Sequence, residues 1–120
     1  MTHYILPDDV KCEYAKHLQD AFSRSEIHNV DVWLQRCKYD TAQLWNLNDF
    51  WAVTEVLKTK TGMALHIVAA AGKYNIALVE SMENWGKSIG CKNVYFTGRR
   101  GWAKRMLGYK LTTITMKKRL

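Results

Sequence analysis

The hydrophobic spacing of this chain drops from about four residues to two at residue 42 and returns to helical spacing after residue 70. No other feature limits the fold as much. Ala42 to Leu47, Trp51 to Lys58 and Met63 to Ala70 are short runs rich in Trp, Val, Leu and Ile, separated by residues 46–49 and 58–62. In the middle run Trp51, Val53, Glu55 and Leu57 alternate with Ala52, Thr54, Val56 and Lys58. Alternation of this kind, interrupted by polar turn residues, predicts an antiparallel three-strand meander.

Helical spacing flanks the meander on both sides. Upstream, Val10, Tyr14, Leu18 and Phe22 predict a helix over 8–23, with Asp8 and Asp9 at its favourable end. A shorter helix is expected around Val30 to Lys38, where Val32, Trp33 and Cys37 share a face and Asn29 or Asp31 is placed to cap it. Downstream, Gly72 to Asn75 leads into a helix whose stripe is Leu78, Met82, Trp85 and Ile89, with Glu83 and Lys87 as an i,i+4 pair and Gly90 as its stop. Lys92 to Thr97 reads as a strand, Arg100 to Leu107 as a short helix ended by Gly108, and Tyr109 to Met116 as a last strand.

These elements make one domain, residues 1–120, since the chain has a single proline, no linker-like stretch and no repeat. With 48% of its residues apolar it can bury a core without staples. No apolar run is long enough for a membrane helix, and the first residues lack a signal-like core. The expectation is a soluble cytoplasmic protein with no membrane partner. Three unpaired-looking cysteines, Cys12, Cys37 and Cys91, give no metal-ligand spacing, so no metal is expected.

Charge is distributed very unevenly. Residues 1–83 hold eight basic and all eleven acidic side chains, whereas the last 37 residues hold ten basic and none acidic. Such a basic segment could meet nucleic acid, an acidic protein surface or a phosphorylated cofactor, or be a solvated face.

The wording of the C-terminal half carries a resemblance. Leu78 to Val94, with Glu83, Trp85, Lys87, Gly90 and Cys91, is similar to the third helix and following strand of the GNAT superfamily of acyl-CoA-dependent N-acyltransferases. Trp102 to Tyr109 looks like that family's last helix and its Gly-Phe or Gly-Tyr step, and Gly98 to Trp102 with the basic C-terminus resembles small bacteriophage-encoded GNAT-like proteins. The likeness covers about residues 42–120. It implies an α/β (α+β) fold, with a central, mostly antiparallel mixed sheet of about five strands and helices packed on both faces. It also implies a fourth strand that splits from the fifth, and a glycine-rich loop presenting backbone N–H groups to the pyrophosphate of acetyl-CoA.

Two departures from the family pattern bear on activity. The loop here is Ala69 to Ala77, with one glycine, so cofactor contacts would fall to Ala71, Gly72, Lys73 and Asn75. Lys104 stands four residues before Gly108, where many family members have an acidic tyrosine.

A general base must lie within hydrogen-bond reach of the amine it deprotonates, so the catalytic candidates are the central-strand residues Glu55 and His66. Their alternative roles are a rim carboxylate paired with Lys58 or Lys60 and a satisfied sheet histidine. Arg99, Arg100, Trp102, Lys104 and Arg105 are the candidates for partner or nucleic-acid contact, because guanidinium forks beside an aromatic suit phosphates and bases. Five tryptophans in 120 residues also fit a protein-binding surface. The sequence therefore carries three functional readings. The first is a reduced, phage-encoded GNAT-like protein acting by binding, virion-associated or in the host cytoplasm; the second is an active acetyl-CoA-dependent N-acetyltransferase; the third is a basic nucleic-acid-binding protein.

Overall fold

A computed structural model describes residues 4–5, 30–39, 41–97, 104–106, 108–109 and 118–119. The expected helix over 8–23, the strand over 109–116 apart from Tyr109, and Arg99, Arg100 and Trp102 lie outside the described residues. Five strands form one sheet in the order β1-β2-β3-β4-β5, with β1 Tyr4–Ile5, β2 Gln43–Leu47, β3 Phe50–Thr59, β4 Gly62–Gly72 and β5 Asn93–Phe96. The first four are antiparallel to their neighbours and β5 joins β4 in parallel. Two helices, α1 over Val30–Lys38 and α2 over Ile76–Ser88, complete the described elements. The meander, α1 and α2 agree with the sequence reading; β1 was not expected.

Short polar turns set the meander. Asn48 and Asp49 close β2 onto β3, Asn48 adopting a left-handed φ of 53° that asparagine tolerates well. Lys60 and Thr61 close β3 onto β4 as a two-residue loop, and the Thr59 hydroxyl donates to the Gly62 carbonyl at 2.6 Å. This turn fixes the register of the long hairpin, with Thr59 opposite Gly62 and Glu55 opposite His66. The register slips at Val53/Thr54: Thr54 pairs Ile67 and Val53 pairs Ala69, so Val68 is skipped by the β3 ladder as the extra residue of a β-bulge.

Each face of the sheet carries its own core. Trp33 and Cys37 of α1 pack with Ala42, Leu44, Trp51, Val53, Val68 and Ala69. On the opposite face Leu78, Val79 and Met82 of α2 pack with Trp45, Phe50, Ala52, Leu65, Ile67, Ala70 and Met106. The bulge is why Val68 and Ala69, neighbours in sequence, both serve the α1 core.

Two details of α2 correct the sequence reading. Its buried residues are Leu78, Val79, Met82 and Gly86, whereas Trp85 is half-buried and Ile89 is 38% exposed. The stripe is turned because Gly86 sits against the sheet: a Cβ there would stand 3.2 Å from Leu65 Cδ2, so the helix seats closely at that point. Glu83 accepts from the Tyr109 hydroxyl at 2.8 Å, and this contact, rather than a Lys87 pair, anchors the C-terminal turn on α2. Asn75 caps the start of the helix, and Gly90, at φ 98°, follows its end as expected.

Candidate active site

Glu55 and His66 are directly opposite each other on β3 and β4, so their side chains rise from the same face, the one covered by α1. His66 in turn pairs with Tyr95 of β5, which puts Thr97, two residues on, diagonally beside it on that face. The side chains join. Glu55 Oε2 lies 2.8 Å from His66 Nδ1, and His66 Nε2 lies 2.8 Å from Thr97 Oγ1.

The helix above supplies a fourth member. Arg36 Nη1 donates to Glu55 Oε1 at 3.1 Å, and its Nη2 donates to the Thr41 carbonyl at 3.0 Å. Its guanidinium lies 4.3 Å from the centre of the Trp33 ring. Arg36 is thereby held at the end of α1 by backbone, aromatic and carboxylate contacts together. Lys58 and Lys60, the partners considered for Glu55 in the sequence, are not the ones it takes; Arg36 and His66 are.

A carboxylate at Glu55 only accepts, so Nδ1 of His66 donates to it; in the neutral imidazole Nε2 then accepts from the Thr97 hydroxyl. The side chains become progressively wetter along the row. Glu55 and His66 are 13% and 15% exposed, and Thr97 is on the surface. A base oriented by a buried carboxylate and opening onto a surface hydroxyl can accept a proton from a group arriving at Thr97.

Thr97 lies just past the last pair of β4 and β5. Pairing between β4 and β5 ends at Ile67 and Phe96, followed by the Thr97 N–H donating to the Ile67 carbonyl at 3.0 Å. β4 continues through the bulge to Gly72, paired only on its β3 side among the described residues. The row of acid-base groups therefore ends just beyond the last β4–β5 pair.

Farther along β4 lies the segment considered for cofactor contact. Ala71 is buried at the end of β4, opposite Trp51. Gly72 has φ 96°, and a Cβ there would stand 1.8 Å from the Asp49 carbonyl oxygen, so only glycine fits. The Lys73 N–H donates to that same oxygen at 3.0 Å. At the start of α2 the Ala77 N–H donates to Asn75 Oδ1 at 3.0 Å and the Leu78 N–H to the Asn75 carbonyl at 3.2 Å. Three backbone donors that could face a pyrophosphate are thus engaged within the chain, while the Lys73 side chain is exposed.

The remaining titratable groups near the cores are not placed for chemistry. Burial pushes the Cys37 thiol up to about 11, with Arg36 acting weakly in the other direction. Burial, the hydrogen bond to Glu83 and the charge of Glu83 raise Tyr109 far above the usual phenol range, so its hydroxyl stays a donor to Glu83. Lys104, in the position where the family tyrosine would stand, is exposed, as is Arg105. Among the described residues no group of His, Cys, Asp or Glu is arranged to hold a metal, and no helix is long and apolar enough to cross a membrane.

The three-strand meander, the bulge in β4 and the parallel β5 bear comparison with known structures. An aminoglycoside acetyltransferase from an uncultured soil metagenomic sample, solved with sisomicin, superposes with a TM-score of 0.67 at 10% identity, over 98% of this chain and 93% of that one. The chain has the GNAT fold. A GNAT family acetyltransferase of Staphylococcus aureus gives 0.61 at 18% identity over 100% and 98% of the two chains. The aminoglycoside N-acetyltransferase AAC(6')-Iy, solved with CoA, gives 0.54 at 10% identity over 92% and 91%. No family model and no curated protein matches the sequence. At such identities the likeness is one of GNAT fold, and what this GNAT-fold chain does rests on its own residues.

Proposed function

We propose that this protein is an acyltransferase that moves an acyl group from a thioester, such as acetyl-CoA, to a primary amine. The observation that carries the reading is the row Glu55–His66–Thr97 ending just past the last β4–β5 pair. The open edge of β4 beyond Ile67 would receive the extended arm of the donor, much as a strand receives a neighbour. Val68, left out of the β3 ladder, would offer its backbone N–H to the charge that develops on the thioester oxygen. An amine arriving at Thr97 would lose its proton through the threonine hydroxyl to His66 Nε2, with Glu55 and Arg36 holding the imidazole in the correct tautomer.

The test is release of free thiol from acetyl-CoA over a panel of amines, including aminoglycosides and polyamines. Turnover that falls by roughly 10²–10⁴-fold in His66→Asn supports the reading. Absence of any amine-dependent thiol release, together with no heat on titrating acetyl-CoA into the protein, would sink it.

A second reading is favoured by the engaged donors at Lys73, Ala77 and Leu78. In it the GNAT fold has given up the nucleotide end of its cofactor and serves as a scaffold for a protein partner, in a phage virion or the host cytoplasm. Contacts would then come from the basic C-terminal end, through Arg99, Arg100, Trp102, Lys104 and Arg105. If that end meets nucleic acid instead, affinity for a short oligonucleotide will fall steeply with salt. A flat salt dependence removes the nucleic-acid form of this reading.

A further inference from the structure

Thr97, His66 and Glu55 have the relations of a nucleophile, a base and the group that orients the base. The hydroxyl is 2.8 Å from Nε2, the carboxylate is 2.8 Å from Nδ1, and Arg36 secures the far carboxylate oxygen at 3.1 Å. Such a constellation is recognised by geometry and role, whatever fold carries it. Three further features distinguish it from a merely satisfied ion pair. Glu55 and His66 face each other across β3 and β4, and Thr97, one residue past the end of β5, is tied to β4 by its N–H on the Ile67 carbonyl, so the sheet sets the spacing of all three. Thr97 is the one exposed residue of the three and stands just past the last β4–β5 pair. Glu55 already has Arg36 as a charged partner, so its charge is balanced without a protonated His66.

We propose that Thr97 is itself the attacking group, so that transfer passes through an acyl-enzyme. This rests on the acyl-transfer reading of the same site and goes further, by naming a covalent intermediate. The Thr97 oxygen forms a bond to the thioester carbonyl carbon as its proton moves to His66 Nε2. The carbon–sulfur bond then breaks, and the thiolate leaves with the proton that His66 returns, giving an O-acyl-threonine and a free thiol. In the second half an amine attacks the ester carbon, His66 takes its proton, and the Thr97 oxygen departs and recovers that proton. Water in place of the amine gives a carboxylic acid and makes the same site a thioesterase. No oxidant, reductant or metal is needed for either half.

The experiment uses the full chain with two donors, acetyl-CoA and the activated ester p-nitrophenyl acetate. Intact-mass and peptide mapping after rapid acid quenching are expected to find one acetyl group on Thr97, and thiol or nitrophenol release should begin with a burst equal to the protein present. Thr97→Ser should keep both signals, and Thr97→Val, whose surface position and near-equal shape leave the fold intact by circular dichroism, should lose them by roughly 10²-fold or more. His66→Asn should lose the burst as well. Acetyl found only on other residues, or Thr97→Val turning over at the rate of the unaltered protein, would overturn the proposal. Amine-dependent transfer without any acyl-Thr97 would also overturn it while leaving the acyltransferase reading standing. Acyl-Thr97 that passes its group only to water would uphold the nucleophile and remove the amine acceptor.

Discussion

The two faces of the sheet handle buried polarity in opposite ways. On the α2 face the polar groups form a closed neutral chain: Trp45 Nε1 donates to Thr54 Oγ1 at 2.9 Å, and that hydroxyl donates to Gln43 Oε1 at 2.8 Å. All three residues are buried, and among the described residues no buried side-chain nitrogen or oxygen lacks a partner. On the α1 face the chain Arg36–Glu55–His66–Thr97 is charged and runs outward until it meets solvent. A closed neutral network holds a structure in one arrangement; an open charged one can gain or lose a proton at its exposed end. One sheet thus carries a closed polar network on one face and an open one on the other, although both faces are packed by a core.

That division can be broken by experiment, beginning with the largest expected effect. His66→Asn should cost turnover roughly 10²–10⁴-fold while the melting temperature moves little, because Glu55 keeps Arg36; a collapse of stability in parallel with activity would mean that the charged chain is chiefly structural. Leu78→Ala, deep in the α2 core, should destabilise by about 2–5 kcal/mol in urea unfolding and leave the per-molecule turnover of the folded fraction unchanged. Thr54→Val strands the Trp45 N–H and the Gln43 carbonyl and should cost about 1–3 kcal/mol, again without altering chemistry.

The smallest effect concerns pH. Cys37 has a folded-state pKa of about 11, raised by burial from an ordinary 9.0. The folded state therefore holds the proton more tightly, so this stabilisation is complete below about pH 9 and is lost as pH rises toward 11. Tyr109, shifted in the same direction, extends the decline above pH 10. Thermal melts from pH 8 to 11 should fall more steeply in the unaltered protein than in Cys37→Ala, and equal slopes would contradict the assignment.

How much of this was legible in the sequence differs between the faces as well. The apolar periods located the meander, α1 and α2 to within a residue or two, since burial is what enforces those periods. Glu55 and His66 stood out as polar residues within apolar runs, yet their pairing depends on the length of the Lys60–Thr61 turn. The polar stretch from Lys58 to Gly62 allows several lengths, and the pair stands opposite only when the loop is centred between Lys60 and Thr61. Had the loop centre been fixed, counting back along both strands would have found the pair. Thr97 and Arg36 give no such local signal, because they arrive through a parallel crossover and a separate helix. The bulge at Val68 is hidden for another reason: in Val68-Ala69-Ala70-Ala71 every position is apolar, so a slip in alternation leaves no mark. β1, two residues long, is below the length at which alternation can be read at all.

The contact at Gly72 has a bearing on engineering this domain. The Asp49 carbonyl, in the turn between β2 and β3, sits where a side chain at Gly72 would be and also takes the Lys73 N–H. Only residues 73–75 separate the end of β4 from α2, so the segment is short as well as pinned. Inserting a longer phosphate-binding loop here would pull Lys73 off Asp49 and leave that turn without its strut. A redesign toward tight nucleotide recognition would therefore have to rebuild Asn48–Asp49 together with the new loop, treating two segments distant in sequence as one exchangeable part.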